Sequence, residues 1–132
     1  MKPADQLYGT RAVEEARLER FENRTLHRRY TIRFTCPEFT CLCPRSGFPD
    51  FATLHIEYQP AAWCVELKSL KLWLNSFRNQ GIFHEDVANR VTDDLVALLE
   101  PHYLKVFADF TVRGNIHTTV TAAHGKAEVD AL

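Results

Sequence analysis

The order in which the hydrophobic period changes along the chain constrains its fold more than any other feature. Apolar residues alternate with polar ones in two early stretches, recur at helical spacing through the middle, and alternate again near the end. A period of two is typical of strands, and spacings of three and four are typical of amphipathic helices. We therefore predict the order β-β-α-α-β-β, an α+β fold with an antiparallel sheet and two helices on one face. The predicted elements are residues 29–36, 52–59, 67–77, 84–100, 104–112 and 116–120.

Two connections between these elements have distinct compositions. The stretch from Cys36 to Asp50 is rich in Pro, Ser and Gly, which predicts a long loop between the first two strands. Loops of this length in compact domains are usually functional or disordered. Gly114-Asn115 is a two-residue hairpin signal, which predicts a tight turn between the last two strands.

The two ends of the chain lack a clear period. Residues 1–24 are predicted to form an N-terminal arm, in which Leu18 and Phe21 could anchor a short helix. Residues 123–132 are small and polar and are predicted to form a flexible tail. Residues 25–122 remain as one predicted catalytic domain.

Composition excludes several classes of function. The chain has 132 residues, which is the length of one domain, and a net charge of -1, which gives no support for nucleic-acid or membrane-surface binding. It has no run of roughly 20 apolar residues and no secretory signal, so we expect a cytoplasmic protein. It contains neither GxGxxG nor GxxxxGK, the two familiar phosphate-binding loops.

A thiol and a carboxyl group bracket the predicted long loop. Cys43 precedes a proline, and Asp50 lies at the start of the second strand. A thiolate is a nucleophile and a nearby acid can supply a proton, so the pair could perform covalent catalysis. Spacing alone favours a buried, inert thiol and a turn-forming aspartate, because free cysteine is among the most buried residue types.

The cysteines also raise the question of a zinc site. Cys36, Cys41 and Cys43 could be joined by Cys64 or by His84 as a fourth ligand. Their spacing differs from the CxxC knuckle of structural zinc sites, so the sequence does not favour a metal.

Three further sets of polar residues have both a structural and a functional interpretation. Lys68 and Lys71 lie three apart on a predicted helix, where they form either a solvated face or a phosphate-binding pair. His84 and Glu85 open the second helix, where an acid is ordinary first-turn chemistry or accepts N–H bonds from a purine-like edge. Arg113 at the hairpin is either simply exposed or reaches a ligand of a neighbouring subunit.

Taken together, these motifs resemble one known family. The stretches PEFTCLCPRSGFPDFATLHIEY, VELKSLKLWLNSFRNQGIFHEDVANRV and FTVRGNI are similar to the short-form NADPH-dependent 7-cyano-7-deazaguanine reductases, nitrile reductases of the queuosine pathway of tRNA modification. The resemblance covers about residues 30–120. It implies the tunnelling fold, in which the sheets of several copies join into a β-barrel.

The resemblance also implies a role for individual residues. Cys43 matches the nucleophile that adds to the nitrile carbon and forms a thioimide, and Asp50 matches the proton donor. The implied substrate-binding residues are Val65, Glu66, Leu67, His84 and Glu85, and the implied cofactor-binding residues are Lys68, Lys71 and Arg113.

The partners implied by the family are NADPH, the cyano substrate and further copies of the chain. The expected assembly is a homo-oligomer, a decamer of two stacked pentamers, with no direct nucleic-acid or membrane partner and no metal. Some relatives carry a second cysteine at the place of Val87, so oxidative protection of the nucleophile by a disulfide there is not expected. The competing hypotheses are a zinc-dependent cyclohydrolase of the same fold and a non-enzymatic purine-binding or scaffold protein.

Overall fold

The computed structural model describes residues 6–128. Within that range the helices are α1 (Tyr8–Glu14), α2 (Leu67–Asn75), which continues as a short 3₁₀ helix (Ser76–Asn79), and α3 (His84–Leu99). The strands are β1 (Arg20–Glu22), β2 (Ile32–Leu42), β3 (Pro49–Gln59), β4 (Trp63–Val65), β5 (Tyr103–Phe110) and β6 (Thr119–Gly125). None of the helices in this part of the chain has the length and apolar character needed to cross a membrane.

Four strands form one antiparallel sheet in the order β2-β3-β5-β6. The register places Ile56 of β3 between Phe34 of β2 and Val106 of β5, so the alternating apolar positions of the three strands fall on one face. The predicted α+β fold, with paired strands on either side of two helices, is confirmed. That the sheets of several copies join into a barrel stays a prediction. The strands at the edges of this sheet, where such joining would occur, are β2 and β6.

The apolar face of the sheet packs against α3. Every second residue of β5 is buried, as period-two alternation requires. The facing stripe of α3 recurs at helical spacing and comprises Val87, Val91, Leu95 and Leu99, all fully buried. Burial of apolar surface stabilises the folded state by about 25 cal/mol per Å². The layer of α3 on the sheet is therefore the core of the domain, and it fixes the positions of the strands.

The first long strand extends further than the sequence predicts. The prediction that a long loop begins at Cys36 is wrong, because β2 continues after a bulge between Cys36 and Phe39. Phe39 and Cys41 are buried in the core, and Pro37 lies at the bulge of an edge strand, where a missing N–H is tolerated. The connection between β2 and β3 is therefore only residues 43–48.

Part of the predicted N-terminal arm belongs to the folded domain. The short helix predicted around Leu18 and Phe21 is wrong: Phe21 lies in β1, which pairs with β4, and Leu18 packs against the core. The helix of this segment is instead α1. Asn23 also attaches the arm to the segment before β4, since its N–H donates to the carbonyl oxygen of Ala62 at 2.9 Å. A three-residue strand that pairs with a distant segment leaves no local period to detect.

The last strand lies further along the chain than residues 116–120. β6 begins at Thr119, whereas Ile116 is exposed and belongs to the turn. Residues 123–125, predicted as part of a flexible tail, are in β6, where small residues pair with β5. The end of that predicted tail, residues 129–132, lies outside the described residues.

The tight turn predicted at Gly114-Asn115 is confirmed. Both residues have positive φ, 57° and 72°, which is the geometry of a two-residue hairpin turn. Arg113 and Ile116 exchange two backbone hydrogen bonds of 3.0 Å across it. The backbone position of Arg113 is therefore fixed by this turn.

Gly125 tests the placement of the end of β6. Its φ of 74° is left-handed, and a Cβ there would overlap the carbonyl oxygen of His102. We expect Gly125→Ala to lower the free energy of unfolding by about 1–3 kcal/mol, the cost of holding a non-glycine residue in such a conformation. Urea denaturation would measure the change. Gly9→Ala is the control, since Gly9 has open space and helical surroundings. Equal stability of both variants would contradict the assigned end of β6.

Candidate active site

Asp50 is a buried carboxylate at the start of the central strand β3. It pairs in register with Cys41 of β2. Its Oδ1 is 3.1 Å from Nη1 of Arg113, and its Oδ2 is 3.3 Å from Nε2 of His84. A buried charge is costly unless it is paired, so these two side chains explain how the acid is accommodated.

His84 is held in place by an aromatic stack. The ring centroids of His84 and Phe110 are 3.8 Å apart and the ring planes differ by 9°. Phe110 is the last residue of β5, and His84 is the first residue of α3. The stack therefore fixes the imidazole at the point where the end of one element meets the beginning of the other. The sequence pattern does not indicate this role for Phe110, because its alternation in β5 predicts only a core position.

Cys43 directly follows β2 and is half-buried. Its N–H donates to the carbonyl oxygen of Phe48, and its own carbonyl oxygen accepts from the N–H of Gly47, both at 2.8 Å. The hydroxyl of Ser46 and the N–H groups of Ser46 and Arg45 lower the pKa of the Cys43 thiol, because they favour its charged form. Because the thiolate is the reactive form, this loop favours a nucleophile.

Cys41, two residues earlier, has the opposite environment. It is fully buried, and its Sγ lies 3.9 Å from the carbonyl oxygen of Ile82. Burial, with the nearby charge of Asp50, raises the pKa of Cys41 to about 11. Cys36 is also disfavoured as a thiolate, because burial raises the pKa of its thiol. The local structure thus lowers the pKa of the Cys43 thiol and raises the pKa values of the two thiols on the preceding strand.

The end of β2 is tied to the segment that leads into α3. The N–H of Leu42 donates to the carbonyl oxygen of Gln80 at 2.9 Å, and the N–H of Ile82 donates to the carbonyl oxygen of Leu42 at 3.0 Å. This short parallel bridge brings the start of α3 to the loop that carries Cys43. The side chains that the structure brings together here, which we call the Asp50 group, are Cys43, Asp50, His84 and Arg113.

A second group of predicted residues surrounds the junction of β4 and α2. Glu66 caps α2, since its carboxylate accepts hydrogen bonds from the N–H groups of Lys68 at 2.9 Å and Ser69 at 2.8 Å. These bonds lower the pKa of Glu66. The hydroxyl of Tyr58 accepts the N–H of Val65 at 3.1 Å. Both oxygens of Glu66 are thus engaged in shaping the backbone of this junction.

Ser69 was missed by the sequence analysis, although it lies in the quoted motif. Its Oγ donates to the carbonyl oxygen of Glu66 at 2.8 Å and accepts the N–H of Glu19 at 3.0 Å. The N–H of Glu66 in turn donates to the carbonyl oxygen of Glu19 at 2.9 Å. The N-terminal arm therefore holds the same junction.

Lys68 and Lys71 are exposed on α2, and neither forms a salt bridge within residues 6–128. A groove of about 470 Å³ between β2 and α2 is lined in part by Lys71, Arg33 and Leu67. Cationic side chains beside an apolar surface suit an anionic dinucleotide, because they can pair with its phosphates while the apolar surface contacts its rings. The residues present therefore fit NADPH.

The Asp50 group and residues 65–71 lie towards opposite ends of β3, since Asp50 is near the first residue of that strand and Val65 bonds to Tyr58 near its last. Across the described residues no hydrogen bond or salt bridge links the two groups. Glu85 is exposed beside His84, and its carboxylate has no hydrogen-bond partner in residues 6–128.

The zinc ligand sets considered from the sequence are not assembled in this fold. In the part of the chain that the structure describes, no three or more His, Cys, Asp or Glu side chains gather to hold a metal ion. Cys64 lies apart from the loop cysteines, with its Sγ 3.7 Å from the hydroxyl of Tyr30.

Comparison with known proteins agrees with the fold. The chain matches a solved structure, the archaeosine synthase QueF-Like in the apo form, with a TM-score of 0.64 at 22% identity, over 75% of this chain and 95% of that one. That likeness concerns the fold. Residues 49–129 match the family model described as QueF-like protein. The class of protein is therefore QueF-like.

Curated relatives narrow the class to one enzyme family. NADPH-dependent 7-cyano-7-deazaguanine reductase of Anaeromyxobacter sp. (strain K) is 59% identical over 109 residues, which are 83% of this chain and 89% of that protein. The reductase of the same name from Thermosynechococcus vestitus is 50% identical over 124 residues, 94% of both chains. The chain belongs to the family of NADPH-dependent 7-cyano-7-deazaguanine reductases, which are oxidoreductases.

Ser46 tests the origin of the reactivity of Cys43. Removing the hydroxyl in Ser46→Ala should raise the pKa of the Cys43 thiol and slow its alkylation below that pKa, by about tenfold for each unit by which the pKa rises. Iodoacetamide labelling across pH, with the site identified by mass spectrometry, would measure this. Ser46→Thr keeps a hydroxyl and should retain most of the rate. An unchanged pH profile in Ser46→Ala would contradict the assignment.

Proposed function

We propose that this chain reduces the nitrile of 7-cyano-7-deazaguanine to the aminomethyl group, using NADPH, in queuosine biosynthesis for tRNA modification. The observation that carries the proposal is the Asp50 group: the thiol of Cys43, whose pKa is lowered, shares one end of the sheet with the buried carboxyl group of Asp50. Curated relatives at 50–59% identity carry the name of this activity.

The first step is addition of the Cys43 thiol across the nitrile. Asp50 takes the thiol proton, the sulfur forms a bond to the nitrile carbon as one π bond of C≡N opens, and the nitrogen takes that proton from Asp50. The product is a thioimide, whose C=N carbon accepts a hydride more readily than a nitrile does. This step needs one soft nucleophile and one acid, which the two residues supply.

The reduction that follows consumes two hydrides and two protons. When bound, NADPH supplies the hydride on each of two occasions, and the nitrile passes through an imine to the amine. Cys43 leaves as a thiolate between the two reductions. Lys68 and Lys71 would hold the cofactor phosphates. The family resemblance implies that Arg113 also binds the cofactor. The lysines are exposed and free of salt bridges within residues 6–128, which supports their assignment.

Substrate recognition draws on both groups of residues. His84 and Glu85 are proposed to contact the deazaguanine from one side, and residues 65–67 to line the pocket. Because these residues lie in separate parts of one chain, we propose that the site is completed between neighbouring copies. A homo-oligomer that pairs the open edges of β2 and β6, a decamer of two pentamers, would provide that arrangement in the cytoplasm.

Cys43 is the first test of this function. Cys43→Ala removes the attacking sulfur, so we expect loss of NADPH oxidation with the cyano substrate and loss of the covalent adduct in intact-protein mass spectra. Cys36→Ala is the matched control, since it removes another half-buried thiol of the same region and should retain both signals. Retained reductase activity in Cys43→Ala would rule out covalent catalysis.

The two lysines of α2 test the cofactor site. Lys68→Ala and Lys71→Ala each remove a phosphate partner, and charge-assisted bonds of this kind are worth roughly 1.5–3 kcal/mol. We therefore expect the KM for NADPH to rise about tenfold or more in each variant, with the KM for the cyano substrate little changed. Lys126→Ala, which removes an exposed ammonium near the end of β6, is the control. Unchanged NADPH kinetics in both α2 variants would refute the assignment.

A further inference from the structure

Arg113 is bound to the proposed proton donor itself. Its Nη1 donates to Oδ1 of Asp50 at 3.1 Å and to the carbonyl oxygen of Pro49 at 2.6 Å. The guanidinium thus donates hydrogen bonds to the backbone of Pro49 and to the side chain of Asp50, at the start of β3. A residue whose task was confined to cofactor phosphates would have no need of these two bonds.

The backbone around Arg113 is arranged to hold this contact. The Gly114-Asn115 turn fixes its position through the reciprocal bonds with Ile116. On the other side, the N–H of Thr111 donates to the carbonyl oxygen of Phe51 at 2.9 Å, which ties the approach to the turn against β3. The hairpin that carries Arg113 is therefore held by backbone hydrogen bonds on both sides of this residue.

Among the charged and titratable groups around Asp50 in the described residues, Arg113 is the cation that pairs with Oδ1. His84 of α3 contacts the other oxygen, Oδ2, at 3.3 Å. The thiols of Cys41 and Cys43 face the carboxylate from β2 and the loop that follows it, and neither is a cation. The side chain of Asp50 is 9% exposed, so water can do little to replace a lost partner.

We propose that Arg113 is a positioning residue for Asp50 during thioimide formation. This inference rests on the proposed function. Paired with Arg113, Asp50 takes the proton of the Cys43 thiol; the sulfur bonds to the nitrile carbon, one π bond opens, and Asp50 passes the proton to the nitrogen. The step adds S–H across C≡N and needs no further reactant.

Thioimide formation without NADPH separates this role from cofactor binding. In Arg113→Gln the carboxylate loses its Oδ1 partner, and we expect the single-turnover rate of adduct formation to fall about tenfold to a hundredfold, as for a catalytic group displaced by roughly 1 Å. Stopped-flow absorbance and intact mass would follow the adduct. If Arg113→Gln fails to fold, Arg113→Lys, which retains the charge without the planar guanidinium, carries the same test.

Lys105→Gln is the matched control. Lys105 contacts Glu57 at 3.3 Å with side-chain exposures of 41% and 12%, close to the 3.1 Å, 43% and 9% of Arg113 and Asp50. Adduct formation at the wild-type rate in Lys105→Gln, together with the slow rate in Arg113→Gln, would support the inference.

Two other results would overturn it. An Arg113→Gln variant that forms the adduct at the wild-type rate and shows only a raised KM for NADPH would assign Arg113 to the cofactor alone. Equal slowing in Lys105→Gln would mean that the loss of any such ion pair slows the step, and that Arg113 has no particular role in it. Absence of any adduct in the wild-type protein would instead refute the proposed function.

Discussion

A carboxylate on the buried face of a strand must be paired, and the arrangement of this site follows from that requirement. Asp50 faces inward because the β2–β3 register puts it opposite Cys41, and a slip of one residue would turn it outward. Inside, the acid needs charged or hydrogen-bonding partners. His84 at the start of α3 and Arg113 after β5 supply them, so three elements that are distant in sequence converge on one side chain.

The same end of the sheet determines which thiol can react. Cys41 still belongs to β2 and is enclosed by the core, where its neutral form is favoured. Cys43 follows the strand, and there the loop turns so that Ser46 and nearby N–H groups stabilise the thiolate. Two residues of chain thus separate a thiol whose pKa is raised from one whose pKa is lowered. The bridge from Leu42 to Gln80 and Ile82 fixes where that change occurs.

The chain carries its predicted functional residues in two groups, and each is built by long-range contacts. The Asp50 group depends on the sheet and α3. The junction at Glu66 depends on the N-terminal arm, because Glu19 bonds to both Glu66 and Ser69. The arm is therefore part of the architecture of a proposed binding segment. Separate groups of this kind accord with an oligomeric reductase whose pocket is completed between neighbouring copies.

The sequence by itself determined the elements with a strong local period, the turn at Gly114-Asn115, and, through its motifs, the family. Tertiary structure decided the rest. Whether Phe39 continues a strand past Pro37, and whether Phe21 pairs with β4, depends on segments distant in sequence that supply the pairing partners. The contact of Arg113 with Asp50 is likewise set by strand register. Periodicity reports which face of an element is buried, whereas the partner of a buried charge is chosen only when distant elements pack together.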